Sequence, residues 1–112
     1  MAALTATTPT NTGATTSGLA VGSTDTIARS VMGPKGVYLE IINGNASPDA
    51  MTISDASTTP TGAAAAANAP SVTNGASKIF HIKPDQVNPA TGLVTITHSV
   101  ITTVTYKLYP VG

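Results

Sequence analysis

From Gly36 onward the chain alternates apolar and polar residues with a period of two. In Val37-Tyr38-Leu39-Glu40-Ile41-Ile42, Val37, Leu39 and Ile41 fall on one face and Tyr38, Glu40 and Ile42 on the other. That is the repeat of a half-buried β-strand. Asn43-Gly44-Asn45 supplies residue types that tolerate positive φ, so a tight turn is expected there. Ala46-Ser47-Pro48-Asp49 lengthens this loop, and Ala50–Ser54 resumes a strand with Met51 and Ile53 inward. In Lys78–Lys83, Phe80 and Ile82 point inward, while Lys78, His81 and Lys83 face water or sit at the strand ends. Ile79 breaks that alternation and is expected against a neighbour. Pro84–Gly92 is a connection with two prolines. Val94, Ile96 and His98 then share one face of a strand whose other face holds Leu93, Thr95 and Thr97. The closing strand runs from Thr102 to Tyr109, with Val104, Tyr106 and Leu108 inward. Pro110 ends it, having no N–H for a ladder.

The pattern is weaker elsewhere. Leu19–Val21 and Thr26–Val31 read as irregular first strands, and Gly33-Pro34-Lys35-Gly36 as a turn. Ala56–Ala76 reads as an excursion loop, since the alanines from Ala63 to Ala67, between Gly62 and Pro70, support no more than about one helical turn. The expected fold is therefore all-β, a small β-sandwich or barrel of about six to eight short antiparallel strands with an extended N-terminal arm. The arm, residues 1–18, carries no charge and, apart from Leu4, no sizeable apolar side chain, so it should be extended when free and precede a domain over residues 19–112. It lacks the basic stretch and apolar run of a signal peptide or a membrane span.

Composition narrows the function. The 112 residues make one small domain with five cationic and five acidic side chains, a formal net charge of zero. Charged residues are 9% of the chain, against roughly 25% in an ordinary domain. No basic field is available for a phosphate backbone or a membrane surface, so neither nucleic acid nor membrane is an expected partner. Aromatics are only 4%, so the core must be built from Val, Ile, Leu and Ala. There is no cysteine, hence no disulfide and no thiolate chemistry. The acid–base inventory is two His, four Asp and one Glu, without an informative spacing. His98 reads as a hydrogen-bonded core residue, His81 as exposed and Asp85 as the cap of its own turn. Neither a calcium loop, a phosphate loop nor a GxSxG elbow is found, and a protein that is no enzyme, without cofactor or metal, is expected. Asn45-Ala46-Ser47 fits a glycosylation sequon, and the outward Thr95/Thr97 and Thr103/Thr105 pairs read as cross-strand threonine pairing rather than an ice-binding ladder. A surface of hydroxyls and amides is cheaper to dehydrate than a charged one, which suits burial against other subunits.

One resemblance extends from about Gly18 to Gly112. The strand VYLEIINGN, the short AMTISD, a variable Ala/Thr loop, KIFHIKP, NPATGLVTITHS and the closing TVTYKLYP occur in that order. The arrangement resembles the small β-sandwich virion proteins of tailed bacteriophages, most of all the head decoration (cement) proteins. Ala90–Ser99 matches the family's "aDG.v.v.ys" pattern, with Thr91 where Asp or Asn is common. The resemblance implies a structural protein without an active site, bound to the major capsid protein on the outer surface of the virion, often as a homotrimer, and stabilising the head. It also implies that the arm, Ala2 to Thr16, anchors to the shell or the next subunit, with Ala2, Ala3, Leu4, Thr5, Thr7, Pro9 and Thr10 as contact residues. The alternatives are a phage neck or tail component and a non-catalytic adhesion or carbohydrate-binding module.

Overall fold

The alternating segments fold into two sheets that face each other across an aliphatic core. The computed structural model describes residues 2–7, 11–13, 18–58, 60–64 and 66–111. Its strands are β1 (Ala2–Ala3), β2 (Leu19–Ala20), β3 (Thr24–Ala28), β4 (Val37–Asn43), β5 (Asp49–Ile53), β6 (Ser71–Val72), β7 (Ser77–Ile82), β8 (Leu93–His98) and β9 (Val104–Pro110). One sheet has the order β1-β3-β8-β5-β6 and the other β2-β9-β4-β7. Every pairing is antiparallel except β1 with β3. The all-β sandwich expected from the alternation is the fold observed.

Parity decides which side chains fill the interior. Ile27, Met51, Ile53, Val94 and Ile96 enter from the first sheet, and Val37, Leu39, Ile41, Ile82, Val104 and Leu108 from the second. Tyr106 is the sole aromatic among the buried core residues, while Phe80, expected inward, is half-buried and packs against the core edge. This is the aliphatic core that a chain of 4% aromatics has to build.

Outside the central strands the structure adds detail to the expected pattern and in places departs from it. Strand β3 ends at Ala28, and Arg29–Met32 form one helical turn that drops Met32 fully into the core. The segment read as continuing the strand to Val31 instead turns, because Gly33 at φ +69 closes the turn. The Ala56–Ala76 excursion shows no helical turn among the described residues. It returns along β5, where Pro70 and Asn68 accept hydrogen bonds from Met51 and Ile53, and it buries Val72. Asp49 is not a loop residue: it opens β5 and is completely buried.

The largest difference lies at the N-terminus. Residues 2–7, read as part of a free arm, lie on their own domain. Ala2 and Ala3 pair in parallel with Asp25 and Thr26, and the Leu4 amide donates to the Thr26 carbonyl (2.8 Å). The segment then crosses to the other sheet. The Thr5 amide donates to the Tyr106 hydroxyl (3.1 Å), and Thr7 exchanges bonds with Leu108 through its amide (2.6 Å) and its Oγ1 (3.2 Å). Leu4 is only 4% exposed between them. The segment is ordered by main-chain bonds and one aliphatic side chain, not by an amphipathic repeat.

Gly36 is the backbone position on which the β4 entrance depends. It has φ +87, and a Cβ there would overlap the Ile82 carbonyl oxygen. Gly75 also has positive φ, +76, but open space around it. Gly36→Ala should therefore cost about 3 kcal/mol, and Gly75→Ala only the intrinsic ~1 kcal/mol. Urea unfolding of the two variants checks the difference; equal losses would remove the clash from the account.

Candidate docking face

The outward face of β2-β9-β4-β7 follows from the same parity. Across the strands, His81, Tyr38 and Tyr109 form one row, Ile79, Glu40 and Lys107 a second, and Ser77, Ile42, Thr105 and Ala20 a third. Ile79 is 64% and Tyr38 44% exposed, among the most exposed large apolar side chains described. The tyrosine ring is tilted against His81, with centroids 5.2 Å apart, and the imidazole Nε2 lies 3.2 Å from the Lys35 carbonyl. The face holds one carboxylate and one ammonium, Glu40 and Lys107, opposite each other in register, with the His81 imidazole on its end strand, so its apolar side chains are not ringed by charge.

Strand β7 is also the end strand of its sheet. The Asn43 amide bonds to the Ala76 carbonyl, and alternation along an antiparallel pair turns the main-chain groups of Lys78, Phe80 and Ile82 toward β4. The groups of Ser77, Ile79 and His81 therefore point to the open edge. Ile79, expected against a neighbour, has none within its own chain among the described residues: it keeps the outward parity of its strand and stands exposed on the end strand of the sheet.

Beside that edge lies a groove of about 350 Å³, lined among others by Phe80, Lys83, Asp85, Asp55 and Asn68. It brings together two carboxylates that lie far apart in sequence. Asp55 is already engaged, its Oδ1 accepting from both the amide and the hydroxyl of Ser57. Asp85 sits in a 3-10 turn, Pro84–Gln86, which is closed by the Gln86 side chain on the Lys83 amide rather than by Asp85.

The opposite outer face, on β3, β8 and β5, carries in-register rows Thr24–Thr97–Thr52 and Thr26–Thr95. Thr95 and Thr97 are thus cross-strand paired with threonines, as expected; Thr103 instead lies before β9, and Thr105 pairs with Ala20 and Ile42. Thr26 is buried, and the Ser54 hydroxyl accepts from the Thr95 amide, so this array is part of the sheet fabric.

His98, expected as a bonded core residue, has a partner the sequence did not reveal. Its Nδ1 lies 2.6 Å from Oδ2 of Asp49, both side chains being inaccessible. Oδ1 of Asp49 accepts from the amides of Ser99 and Val100 (3.0 and 3.2 Å). The Ser99 hydroxyl accepts from the Ala50 amide. The cluster ties the start of β5 to the turn after β8, and no third His, Asp or Glu joins it into a metal-binding group among the described residues. A second buried carboxylate, Asp25, accepts from the Gly22 amide through Oδ2, while Oδ1 has no partner among the described residues.

Of the arm residues expected to contact a partner, Ala2, Ala3, Leu4, Thr5 and Thr7 lie in the seat described above. Pro9 and Thr10 lie outside the described residues. No protein-family model matches the chain, and no curated protein or solved structure matches it either.

The Asp49 cluster has a measurable weight. Asp49→Ala strands the His98 imidazole and the two amides without their acceptor, at about 1–3 kcal/mol for a buried group left unpaired. A loss of about 3 kcal/mol in urea unfolding is expected. Asp49→Asn, which keeps an acceptor oxygen, should lose roughly half as much.

Proposed function

We propose that the protein is a structural subunit that docks on a larger assembly through the outward face of the four-stranded sheet. In its most concrete form the reading is a head decoration protein on the outer surface of a tailed-phage capsid, bound to the major capsid protein as a homotrimer. The observation that carries it is Ile79, 64% exposed on an end strand next to the strand of Tyr38, in a face with a single carboxylate and a single ammonium. Solitary exposed apolar residues are ordinary; Ile79 on an end strand, with Tyr38 exposed on the strand next to it and little charge to keep wet, fits a contact surface. Weak contacts of this kind, repeated over a capsid, hold by avidity. The sequence resemblance supplies the shell, and the fold supplies a face suited to it.

Copy number tests this reading. Quantitative mass spectrometry of purified particles should find the chain in numbers comparable to the shell subunit. About a dozen copies or fewer would place it in the neck or tail, and its absence would overturn the virion reading. On isolated shells, Ile79→Asp should reduce co-sedimentation at least tenfold while leaving the urea midpoint nearly unchanged, because the side chain is outside the core. Undiminished binding would remove this face from the proposal.

A further inference from the structure

We propose that residues 2–7 are an exchangeable strap, donated between copies of this chain into the seat they occupy here. The proposal does not rest on the virion reading and concerns only the chain's contact with itself.

The seat is chemically complete. Along β3 the Arg29 amide bonds to the Gly92 carbonyl, and alternation turns Asp25 and Ile27 toward β8 and leaves Thr26 facing the other edge. Along β9 the Gly44 amide bonds to the Thr103 carbonyl, so Thr105, Lys107 and Tyr109 face β4 while Val104, Tyr106 and Leu108 face away from it. The Val21 amide takes the Val104 carbonyl and β2 pairs at Tyr106, but that pairing stops short of Leu108. The strap fills what is left: Leu4 on Thr26, Thr5 on the Tyr106 hydroxyl and Thr7 on Leu108, with the Leu4 side chain between the sheets. Without it, edges of both sheets stand open on the same side. The seat must be filled, and nothing in it distinguishes this copy's strap from another's.

The connection permits either source. Thr7 bonds at Leu108 and Leu19 pairs with Tyr106, positions two residues apart on β9, or roughly 7 Å. The residues between include 8–17, ten in number, all Thr, Pro, Asn, Gly, Ala or Ser. Ten residues reach up to about 33 Å. Closure within one chain uses a small part of that reach, and the remainder can span to an adjacent copy. Exchange preserves every contact, so only the relative concentrations of the two seats decide. Connection through a short stretch of chain gives an intramolecular seat an effective concentration in the millimolar range. Copies in solution at millimolar concentration offer each other seats at comparable concentration.

The chain has no cysteine, which makes the test clean. Ala3 pairs with Thr26, so Ala3→Cys in one chain and Thr26→Cys in a mass-tagged second chain can join only when a strap sits on the other copy's β3. The two are refolded together at millimolar concentration, oxidised and weighed without reductant. The proposal expects mixed disulfide at least tenfold above a control with Ser77→Cys in place of Thr26→Cys, since β7 lies at the far edge of the other sheet. Leu4→Asp in the strap chain should return it to the control level. Mixed disulfide at the control level, with or without an internal bond in the Ala3→Cys/Thr26→Cys chain, overturns the proposal. Light scattering on the unmodified chain is the second readout. Exchange predicts a larger species that grows with concentration and is absent in Leu4→Asp; a monomer at all concentrations overturns it.

Discussion

The main-chain groups at a sheet edge need partners, and a two-layer sandwich of short strands has edges on both sides. In this protein that constraint shapes everything outside the central strands. On one side the N-terminal segment bonds Thr26 of one sheet and Leu108 of the other, with Leu4 between them. Toward the other side, the chain from Asn68 to Val72 runs back along β5, accepting from Met51 and Ile53. Neither segment contributes much apolar surface; Leu4 and Val72 are their buried aliphatic side chains. Their role is to complete hydrogen bonding that the core strands leave undone, which small polar residues do as well as large ones. The end strand β7 is treated differently. Among the described residues it pairs with β4 alone, and Lys78 turns its ammonium back to the Ser71 carbonyl.

Charge is scarce, and its placement sharpens the surface further. Two of the five acidic side chains, Asp25 and Asp49, are buried, whereas none of the five cations is. Three acids therefore remain at the surface against five cations. Asp49 is held by His98 and two amides, so both of its oxygens are used. Asp25 has one oxygen unpaired among the described residues and contributes less in return for its burial. Buried polar groups retained in so small a core fix register: Asp49 determines where β5 starts against the turn after β8, a choice that alternation alone leaves free.

Legibility followed the carrier of the order. Wherever burial by side chains decides the structure, as in β4, β8 and β9, the period of two displayed it, and the inward sets Val37/Leu39/Ile41, Val94/Ile96/His98 and Val104/Tyr106/Leu108 match. Where backbone bonds decide it, composition is silent. Ala2, Ala3 and Thr7 have nothing to distinguish them from the residues of a solvated tail, yet they bridge two sheets. The Asp49–His98 pair was hidden for another reason. Its members are 49 positions apart, and Asp49 follows Ser47-Pro48, a setting in which aspartate ordinarily caps a turn. Only the inward parity of His98 pointed to a missing partner. Arg29–Val31 read as the end of a strand because a single helical turn is too short to show a period.

These patterns also locate the free surface. The five-stranded sheet turns outward a set of threonines, with Thr26 buried and the Thr95 amide bonded to Ser54. The four-stranded sheet instead turns outward Tyr38, Ile42, Ile79 and Tyr109, and at Ile79 an exposed side chain coincides with main-chain groups aimed at an open edge. A core this poor in aromatics would ordinarily draw large apolar residues inward. Ile79 stays outside because strand parity leaves no inward position for it once Phe80 and Ile82 face the core, and Tyr38 because Val37, Leu39 and Ile41 take the inward positions of β4. Moving Ile79 in would require a one-residue slip of β7, which would exchange Phe80 and Ile82 for Ile79 and His81. The exposed isoleucine is thus the geometric counterpart of a correctly placed core, and contact with another molecule can bury it without altering that core.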